Sequence, residues 1–220
     1  MKEIKGLLFD LDGVIVDTAK YHYLAWKQLS DQLGIDFNIK DNERLKGVSR
    51  MRSFEIILEI GGCTMSEEEK EKNCSKKNEI YLEYIYQLKA NEVLPGVIEF
   101  LTDAKAKGYK LALGSASKNS RVILEKLDIL DLFDEIVDGT IVSKAKPDPE
   151  VFLKGAELLK LAKNRCIVFE DASSGIEAAH SAGMLAVGIG TVENLPEADI
   201  LLAGLNNITV DEIINKLQEV

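Results

Sequence analysis

The chain has 220 residues, of which 46% are hydrophobic and 29% charged, a composition typical of a soluble globular protein. Its 27 basic and 37 acidic side chains leave a net charge of −10 at pH 7, which disfavours nucleic acid and anionic lipid as partners. No apolar run approaches the roughly 20 residues of a membrane span. At about 150 residues per domain, the length predicts one domain plus a smaller module.

The first part of the chain predicts one strand followed by helices. The apolar run at residues 4–9 is bounded by a turn signal, which is typical of a buried strand. Between Thr18 and about Leu88 the pattern becomes helical and more charged. An apolar stripe at helical spacing precedes Gly34, which predicts a helix end there. A capping box at Ser66 predicts the start of a longer helix.

After Pro95-Gly96, strands alternate with helices. Strands are predicted at 110–114, near 136–137, at 166–169 and at 185–188, and helices end near 107 or begin at 118, 149, 174 and about 210. Asp148 is predicted as N-cap and Pro149 as the first helical residue. This alternation predicts an α/β fold with a doubly wound parallel, Rossmann-like sheet. We assign residues 1–16 and 89–220 to this core and residues 17–88 to an inserted helical cap domain.

The start of the chain and its cysteines predict the compartment. The first apolar run is short and ends in charged Asp10, so we expect no secretory signal and a cytoplasmic location. Cys63, Cys74 and Cys166 are odd in number and far apart in sequence, so we expect reduced, structural thiols. We also expect a monomer, since no exposed apolar repeat suggests an interface.

Acidic pairs follow two of the predicted strands. In open α/β sheets, ligands bind beyond the carboxyl ends of the strands. Asp10 and Asp12 follow the first predicted strand in this way, and Glu170 and Asp171 follow the fourth. Like charges so close together require a cation or a proton. Oxygen ligands without clustered His or Cys favour Mg²⁺. An isolated Asp after a strand is often only a turn former or helix cap, so the first pair alone leaves both interpretations open.

Ser115 and Lys146 fit a phosphate site. A hydroxyl, the backbone N–H groups at a helix start and a lysine can together surround a phosphate. Taken singly, Ser115 is equally explained as a turn hydroxyl and Lys146 as a solvated lysine. A carboxylate, a divalent metal and a phosphate site together predict phosphoryl transfer through an aspartyl-phosphate.

The motifs occur in the order found in one superfamily. Phe9-Asp10-Leu11-Asp12-Gly13-Val14, Ser115, Lys146-Pro147 and Glu170-Asp171 together resemble the haloacid dehalogenase superfamily of phosphotransferases. The resemblance implies that Asp10 is the phosphorylated nucleophile and Asp12 the general acid/base, while Ser115 and Lys146 hold the phosphoryl group. It also implies Mg²⁺ bound by Asp10, the Asp12 backbone carbonyl and Asp171, with Glu170 close by. Ala172 departs from the pattern, which usually has Ser there.

The predicted cap contains Lys46-Gly47-Val48-Ser49-Arg50, Ser53 and Lys77-Asn78, with His22 and Trp26 near its start. This set is similar to that of the β-phosphoglucomutase subfamily. The similarity implies that Arg50, whose planar guanidinium can grip a phosphate by two hydrogen bonds, binds a second phosphate with Ser117, Lys118 and Asn119. It implies that His22 links cap closure to Asp12. The remaining residues implied to contact the substrate are Thr18, Trp26, Lys46, Gly47, Val48, Ser49, Ser53, Lys77, Ser115 and Ala116.

Several cap residues also have structural interpretations. His22 and Trp26 lie on one helical stripe and could be packed core side chains. Lys77 belongs to a helix opened by three glutamates and could lie on a solvated face. Arg50 could cap the preceding turn.

The subfamily resemblance implies a specific reaction. The expected enzyme interconverts β-D-glucose 1-phosphate and D-glucose 6-phosphate through β-glucose 1,6-bisphosphate, which also primes it, with Mg²⁺ as cofactor. The alternatives are a sugar-phosphate phosphatase with the same core and a binding module without activity. Asp12 beside Asp10 argues against the binding module, since binding alone requires no second acid there.

Overall fold

The computed structural model describes residues 3–45 and 49–218. Three of the predicted substrate-binding residues, Lys46, Gly47 and Val48, lie outside the described residues, and their expected contacts stay predictions.

A parallel sheet organises the core. Within the described residues it has six strands in the order β3-β2-β1-β4-β5-β6, all parallel, which confirms the predicted doubly wound α/β class. Central β1 aligns Phe9 with Leu113 of β2 and Phe169 of β4, so these three strands end side by side. The strands are β1 (Gly6–Phe9), β2 (Lys110–Gly114), β3 (Glu135–Val137), β4 (Cys166–Glu170), β5 (Leu185–Ile189) and β6 (Ile200–Leu202).

Strand β6 was not predicted from the sequence. Three residues are too few to show a period-2 pattern, and this strand is defined by its pairing with β5. An aspartate precedes each of the two edge strands, β3 and β6, and accepts a hydrogen bond from the neighbouring inner strand. Before β3, the Asp134 carboxylate accepts from the backbone N–H of Leu111, and before β6 the Asp199 carboxylate accepts from that of Ala186. Each aspartate thus joins the start of an edge strand to its inner neighbour.

In the part of the chain that the structure describes, five α-helices accompany these strands, and two of them begin later than predicted. The helix predicted from residue 118 begins at Ser120, because Ser115 and Ser117 Oγ accept backbone N–H groups and keep residues 115–119 in a loop. The next helix begins at Glu150, and its N-cap residue is Pro149. The prediction of Asp148 as the N-cap residue is therefore wrong. The helices are α5 (Val97–Ala106), α6 (Ser120–Lys126), α7 (Glu150–Leu158), α8 (Ser173–Ala182) and α9 (Val210–Gln218).

Aromatic rings fill the core beneath β1. Phe9 stacks on Phe169 with ring centroids 4.6 Å apart, and it meets Phe100 and Phe133 edge-on at 6.2 Å. All four strand residues Gly6–Phe9 are buried. Because β1 is covered on both faces, the position of its carboxyl end is strongly determined by packing.

The chain divides into two compact units, Met1–Asp17 with Lys89–Val220, and Thr18–Leu88. The second unit contains α1 (Ala19–Gln32), α2 (Ile39–Asn42), α3 (Arg50–Gly61) and α4 (Glu67–Ile85). Gly34, with φ of +71°, follows the end of α1, and the capping box of Ser66 and Glu69 opens α4, as predicted. Trp26 and Phe54 stack within this unit at 6.0 Å. None of the described helices is long and apolar enough to cross a membrane.

Candidate active site

Lys146 joins two acidic side chains at the carboxyl end of the sheet. Its Nζ atom donates to Asp10 Oδ1 and, at 2.5 Å, to Glu170 Oε1. The side chains of all three residues are at most 12% exposed. Burial acts to lower the pKa of Lys146, but the charges of Asp10 and Glu170 outweigh it and raise the pKa. Lys146 is therefore an ammonium group held between two carboxylates.

Glu170 is buried, although it ends the strand β4 at the same edge of the sheet. Burial raises the pKa of its carboxyl group, while Lys146 acts in the opposite direction. Its second oxygen accepts from the backbone N–H of Ala172 at 2.9 Å. A Cβ atom at Gly175 of α8 would lie 1.8 Å from Glu170 Oε1, so the carboxylate occupies space that only glycine leaves. These contacts direct Glu170 toward Lys146.

Asp171 lies against the loop that carries Asp12. Gly13 has φ of +73°, and a Cβ atom there would lie 2.0 Å from Asp171 Oδ2. The Gly13 N–H donates to the Val16 carbonyl, which closes the loop after β1. The glycine therefore supplies both the left-handed turn and the room for the Asp171 carboxylate.

The acidic groups at this rim repel one another. Although the Asp171 residue is exposed, protein atoms remove water from its carboxyl group, and this raises its pKa to about 7 together with the charges of Asp10, Glu170 and Asp12. Like charges disfavour ionisation of the last carboxyl group. A cation bound here would relieve this repulsion.

The oxygen donors fit Mg²⁺ only with help from other oxygens. In the described residues, no three His, Cys, Asp or Glu side chains form a cluster that could hold a metal ion by themselves. Mg²⁺ is usually held by one or two carboxylates together with water and phosphate oxygens, which suits Asp10, Asp171 and a backbone carbonyl. The donor set is therefore compatible with Mg²⁺, whereas the Glu170 carboxylate is engaged by Lys146.

Ser115 begins a tight loop after β2. The residue is 2% exposed, its N–H donates to the Val137 carbonyl, and its Oγ accepts from the Ser117 N–H at 3.1 Å. The loop also lies against Gly139, where a Cβ atom would be 2.2 Å from the Ala116 carbonyl oxygen. Lys118 is exposed, and the Asn119 N–H donates to Ser117 Oγ. The loop is thus built largely from hydroxyl-to-backbone hydrogen bonds.

In the cap unit, α1 and α4 form a cluster around a buried lysine. Lys77 is 2% exposed, which excludes the solvated face considered for it. Its Nζ atom lies 2.7 Å from His22 Nδ1, and 4.7 and 5.0 Å from the ring centroids of Tyr81 and Trp26. Tyr81 stacks on His22 and donates from its hydroxyl to Thr18 Oγ1 at 3.2 Å. Four of the predicted residues are therefore in one cluster.

The other predicted cap residues surround the start of α3. Ser49 is the N-cap residue, and its side chain accepts from the Arg52 N–H. Arg50 is the first helical residue and donates to Asn78 Oδ1 at 2.9 Å. Ser53 is 4% exposed, and its N–H donates to the Ser49 carbonyl. Arg50 therefore contacts α4, whereas the turn before it lies outside the described residues.

Comparison with known proteins identifies the family. Residues 7–189 match the family model of the haloacid dehalogenase-like hydrolases. The chain belongs to this family. It is 42% identical over 210 residues to the β-phosphoglucomutase of Bacillus subtilis, covering 94% of this chain and 93% of that protein. The crystal structure of a β-phosphoglucomutase from Clostridium difficile matches with a TM-score of 0.91 and 44% identity over 98% of both chains.

A phosphatase is also among the relatives of this haloacid dehalogenase-like protein. The chain is 32% identical over 222 residues to the phosphorylated carbohydrates phosphatase of Thermotoga maritima, covering 99% of this chain and 100% of that protein. The similarity to the two β-phosphoglucomutases is closer than this one at comparable coverage.

Two glycines contribute to the geometry of the family's motifs in ways that were not predicted from the sequence. Gly175 makes room for Glu170, and Gly13 makes room for Asp171. A glycine directly after the Asp10–Asp12 motif is visible in the sequence as a turn signal. Gly175 carries no such signal, because it lies inside a helix and its role depends on a side chain from β4.

Proposed function

We propose that this protein is a β-phosphoglucomutase that interconverts β-D-glucose 1-phosphate and D-glucose 6-phosphate. The observation that carries the proposal is the 42–44% identity to β-phosphoglucomutases over nearly the whole chain. The proposed route is two phosphoryl transfers through β-glucose 1,6-bisphosphate, which also primes the enzyme. We further propose that it acts as a cytoplasmic monomer.

Asp10 is the proposed nucleophile. One of its carboxylate oxygens attacks a phosphorus atom of the bisphosphate, the bond from that phosphorus to the sugar oxygen breaks, and an aspartyl-phosphate forms. Asp12 gives a proton to the departing sugar oxygen and takes one from the attacking hydroxyl in the reverse transfer. The contact of Lys146 with Asp10 supports the role of Asp10 as nucleophile, because the ammonium group can also neutralise the transferring phosphoryl oxygens.

The other core residues are proposed to bind the phosphoryl group or to position the side chains that bind it. The Ser115 hydroxyl and the backbone N–H groups of its loop are proposed donors to phosphoryl oxygens. Glu170 is proposed to hold Lys146 in place, in keeping with its 2.5 Å contact, and to contribute to the metal site. Mg²⁺, held by Asp10, the Asp12 backbone carbonyl and Asp171, would supply further positive charge against the phosphoryl oxygens.

Residues of the cap are proposed to bind the rest of the substrate. Arg50 binds the second phosphate, together with Ser117, Lys118 and Asn119, because its planar guanidinium suits a phosphate. The residues proposed to contact the sugar phosphate are Lys77, His22, Thr18, Trp26, Ser49, Ser53, Ala116, Lys46, Gly47 and Val48. His22 is proposed to make the acid/base function of Asp12 depend on bound sugar, which favours transfer to a sugar hydroxyl over transfer to water.

The second candidate function is a sugar-phosphate phosphatase, which the 32% identity to the Thermotoga maritima enzyme favours. In that case water, rather than a sugar hydroxyl, takes the phosphoryl group from Asp10. The two functions require the same core residues, so the products of the reaction must separate them.

One assay tests the proposal. The protein is incubated with Mg²⁺, β-glucose 1-phosphate and a trace of the bisphosphate, and glucose 6-phosphate and free phosphate are both measured. We expect glucose 6-phosphate without a matching amount of free phosphate. Stoichiometric release of phosphate would instead support the phosphatase, and absence of any product would overturn both functions.

A further inference from the structure

Arg50 is held by α4 at two points. Its guanidinium Nη2 donates to Asn78 Oδ1 at 2.9 Å, and its backbone carbonyl lies 3.7 Å from Cys74 Sγ. Cys74 and Asn78 are one helical turn apart and therefore lie on the same face of α4. The first residue of α3 is thus attached to this face both by its backbone and by its side chain.

The partner of Arg50 differs from the partners of the other cap arginines. The cap has three arginines in its sequence, and in the described residues Arg44 pairs with Glu59, while Arg52 pairs with Glu55 and Glu59. Arg50 instead donates to the neutral amide oxygen of Asn78. A carboxylate in this place would hold the guanidinium but would also cancel its charge.

Arg50 is also less solvated than Arg44 and Arg52. Burial lowers the pKa of its guanidinium, and the thiol of Cys74 and the hydroxyl of Tyr81 act in the opposite direction. Arg52, by contrast, is exposed, and its pKa is raised by Glu59 and Glu55. A positive charge that is partly desolvated and not neutralised attracts an anion more strongly than a solvated, paired one.

We propose that Asn78 is a positioning residue for the second phosphate of the substrate. It fixes the guanidinium of Arg50 by one hydrogen bond, leaves the other donors of the guanidinium for the phosphate, and preserves the full positive charge. This inference rests on the proposed function, because Arg50 has a second phosphate to bind only if the substrate is a sugar bisphosphate or reaches a phosphorylated enzyme.

The test is Asn78→Asp, which keeps the shape of the side chain and adds a negative charge. The matched control is Asn73→Asp, the same change on the same helix, where the side chain donates to the Glu69 carbonyl and lies near Met65. KM and kcat are measured for β-glucose 1-phosphate at saturating bisphosphate, and again for hydrolysis of acetyl phosphate, which has no second phosphate.

We expect Asn78→Asp to raise KM for β-glucose 1-phosphate by roughly tenfold or more, because a charge-assisted phosphate contact is weakened. The rise in KM for acetyl phosphate is smaller, and kcat changes less than KM. Asn73→Asp changes KM for the sugar phosphate by less than about twofold. Asn78→Ser, which also loses the amide oxygen but adds no charge, gives a smaller rise than Asn78→Asp.

Two results would overturn the inference: an unchanged KM in Asn78→Asp, or an equal rise in Asn73→Asp. If Asn78→Asp does not fold, as judged by thermal melting, an unchanged KM in Asn78→Ser overturns it instead. Failure of the proposed function is recognised separately, since the unmodified protein would then form no glucose 6-phosphate.

Discussion

Lys77 Nζ lies 2.7 Å from His22 Nδ1. An ammonium group can only donate, so His22 Nδ1 accepts and the proton of the neutral imidazole is on Nε2. Burial lowers the pKa of His22 well below its ordinary value, and the positive charges of Lys77 and Arg50 lower it further. Burial and the two positive charges therefore favour the neutral histidine, and the contact with Lys77 selects its tautomer.

The first prediction concerns the charge of His22. We expect its imidazole to be neutral, with the proton on Nε2, at about pH 6.5, where a free imidazole becomes charged, since burial and the charges of Lys77 and Arg50 lower its pKa. The chain has two histidines, so nitrogen NMR spectra of the folded protein and of His22→Gln assign its signals. A His22 ring that becomes charged near pH 6.5 would contradict the tautomer assigned here.

The same shift has a consequence for stability. Below about pH 6.5 the unfolded chain gains a proton at His22 that the folded protein does not, so the free energy of unfolding falls as pH decreases, by at most about 1.4 kcal/mol per pH unit. Urea unfolding at pH 7.5 and pH 5.5 measures this effect. The unmodified protein should lose more stability than His22→Gln, and equal losses would count against it.

Removal of Lys146 should destabilise the core. Lys146→Met leaves buried Glu170 and Asp10 without their cation, so we expect a loss of about 3–5 kcal/mol in the free energy of unfolding. Glu170→Gln added to this variant should recover part of the loss. The control is Lys144→Met, which removes an exposed pair with Asp148 and should cost less than about 1 kcal/mol. Similar losses in the two lysine variants would show that the buried pairs contribute little.

Gly175 should matter for catalysis as well as for packing. Gly175→Ala pushes the Glu170 carboxylate away from Lys146, so we expect kcat of the folded variant to fall at least about tenfold. Gly155→Ala is the matched control, because its Cβ atom would instead lie 2.7 Å from Leu8 Cδ2 in the apolar core. It should lower the melting temperature with little change in kcat. Glu170→Asp shortens the side chain. Added to Gly175→Ala, it should restore part of the lost activity, whereas alone it should not raise the activity of the unmodified protein.

Asp171 should connect Mg²⁺ with thermal stability. Because burial, together with the charges of Asp10, Glu170 and Asp12, raises its pKa to about 7, the charged carboxylate is unfavourable without a cation. In EDTA, Asp171→Asn should melt a few degrees above the unmodified protein, and Mg²⁺ should raise the melting temperature of the unmodified protein only. Asp36→Asn, at an exposed cap position, should change neither quantity. A Mg²⁺ effect that persists in Asp171→Asn would remove this residue from the proposed metal site.

Variants of Arg50 and Asp10 should distinguish binding of the second phosphate from the phosphoryl-transfer step. Asp10→Asn should abolish both isomerisation and hydrolysis, because the nucleophile is lost. Arg50→Ala should lower kcat/KM for isomerisation by roughly tenfold to a hundredfold, and hydrolysis of acetyl phosphate by less. Arg52→Ala, two residues on and paired with Glu55 and Glu59, serves as control. Equal losses in the two reactions of Arg50→Ala would remove it from the second-phosphate role.

Local patterns in the sequence were sufficient for the class of fold and for the order of the motifs. The apolar run of β1, the alternation after Pro95 and the glycine that ends α1 each depend on residues close together in the chain. The parallel sheet follows from these elements, because strands separated by helices are joined by crossovers. The carboxyl ends of such strands meet at one edge, which is why Asp10 and Glu170 could be expected near each other.

Only the tertiary structure decided which side chains meet. Lys146 and Asp10 are 136 residues apart, and the contact of Glu170 with Lys146 depends on packing around Gly175. Lys77 is buried because aromatic rings of α1 and α4 surround it, although its own helix opens with three glutamates. Strand β6 forms because β5 offers it a free edge. Sequence patterns report on neighbours along one chain segment, whereas these contacts depend on side chains from segments that folding brings together.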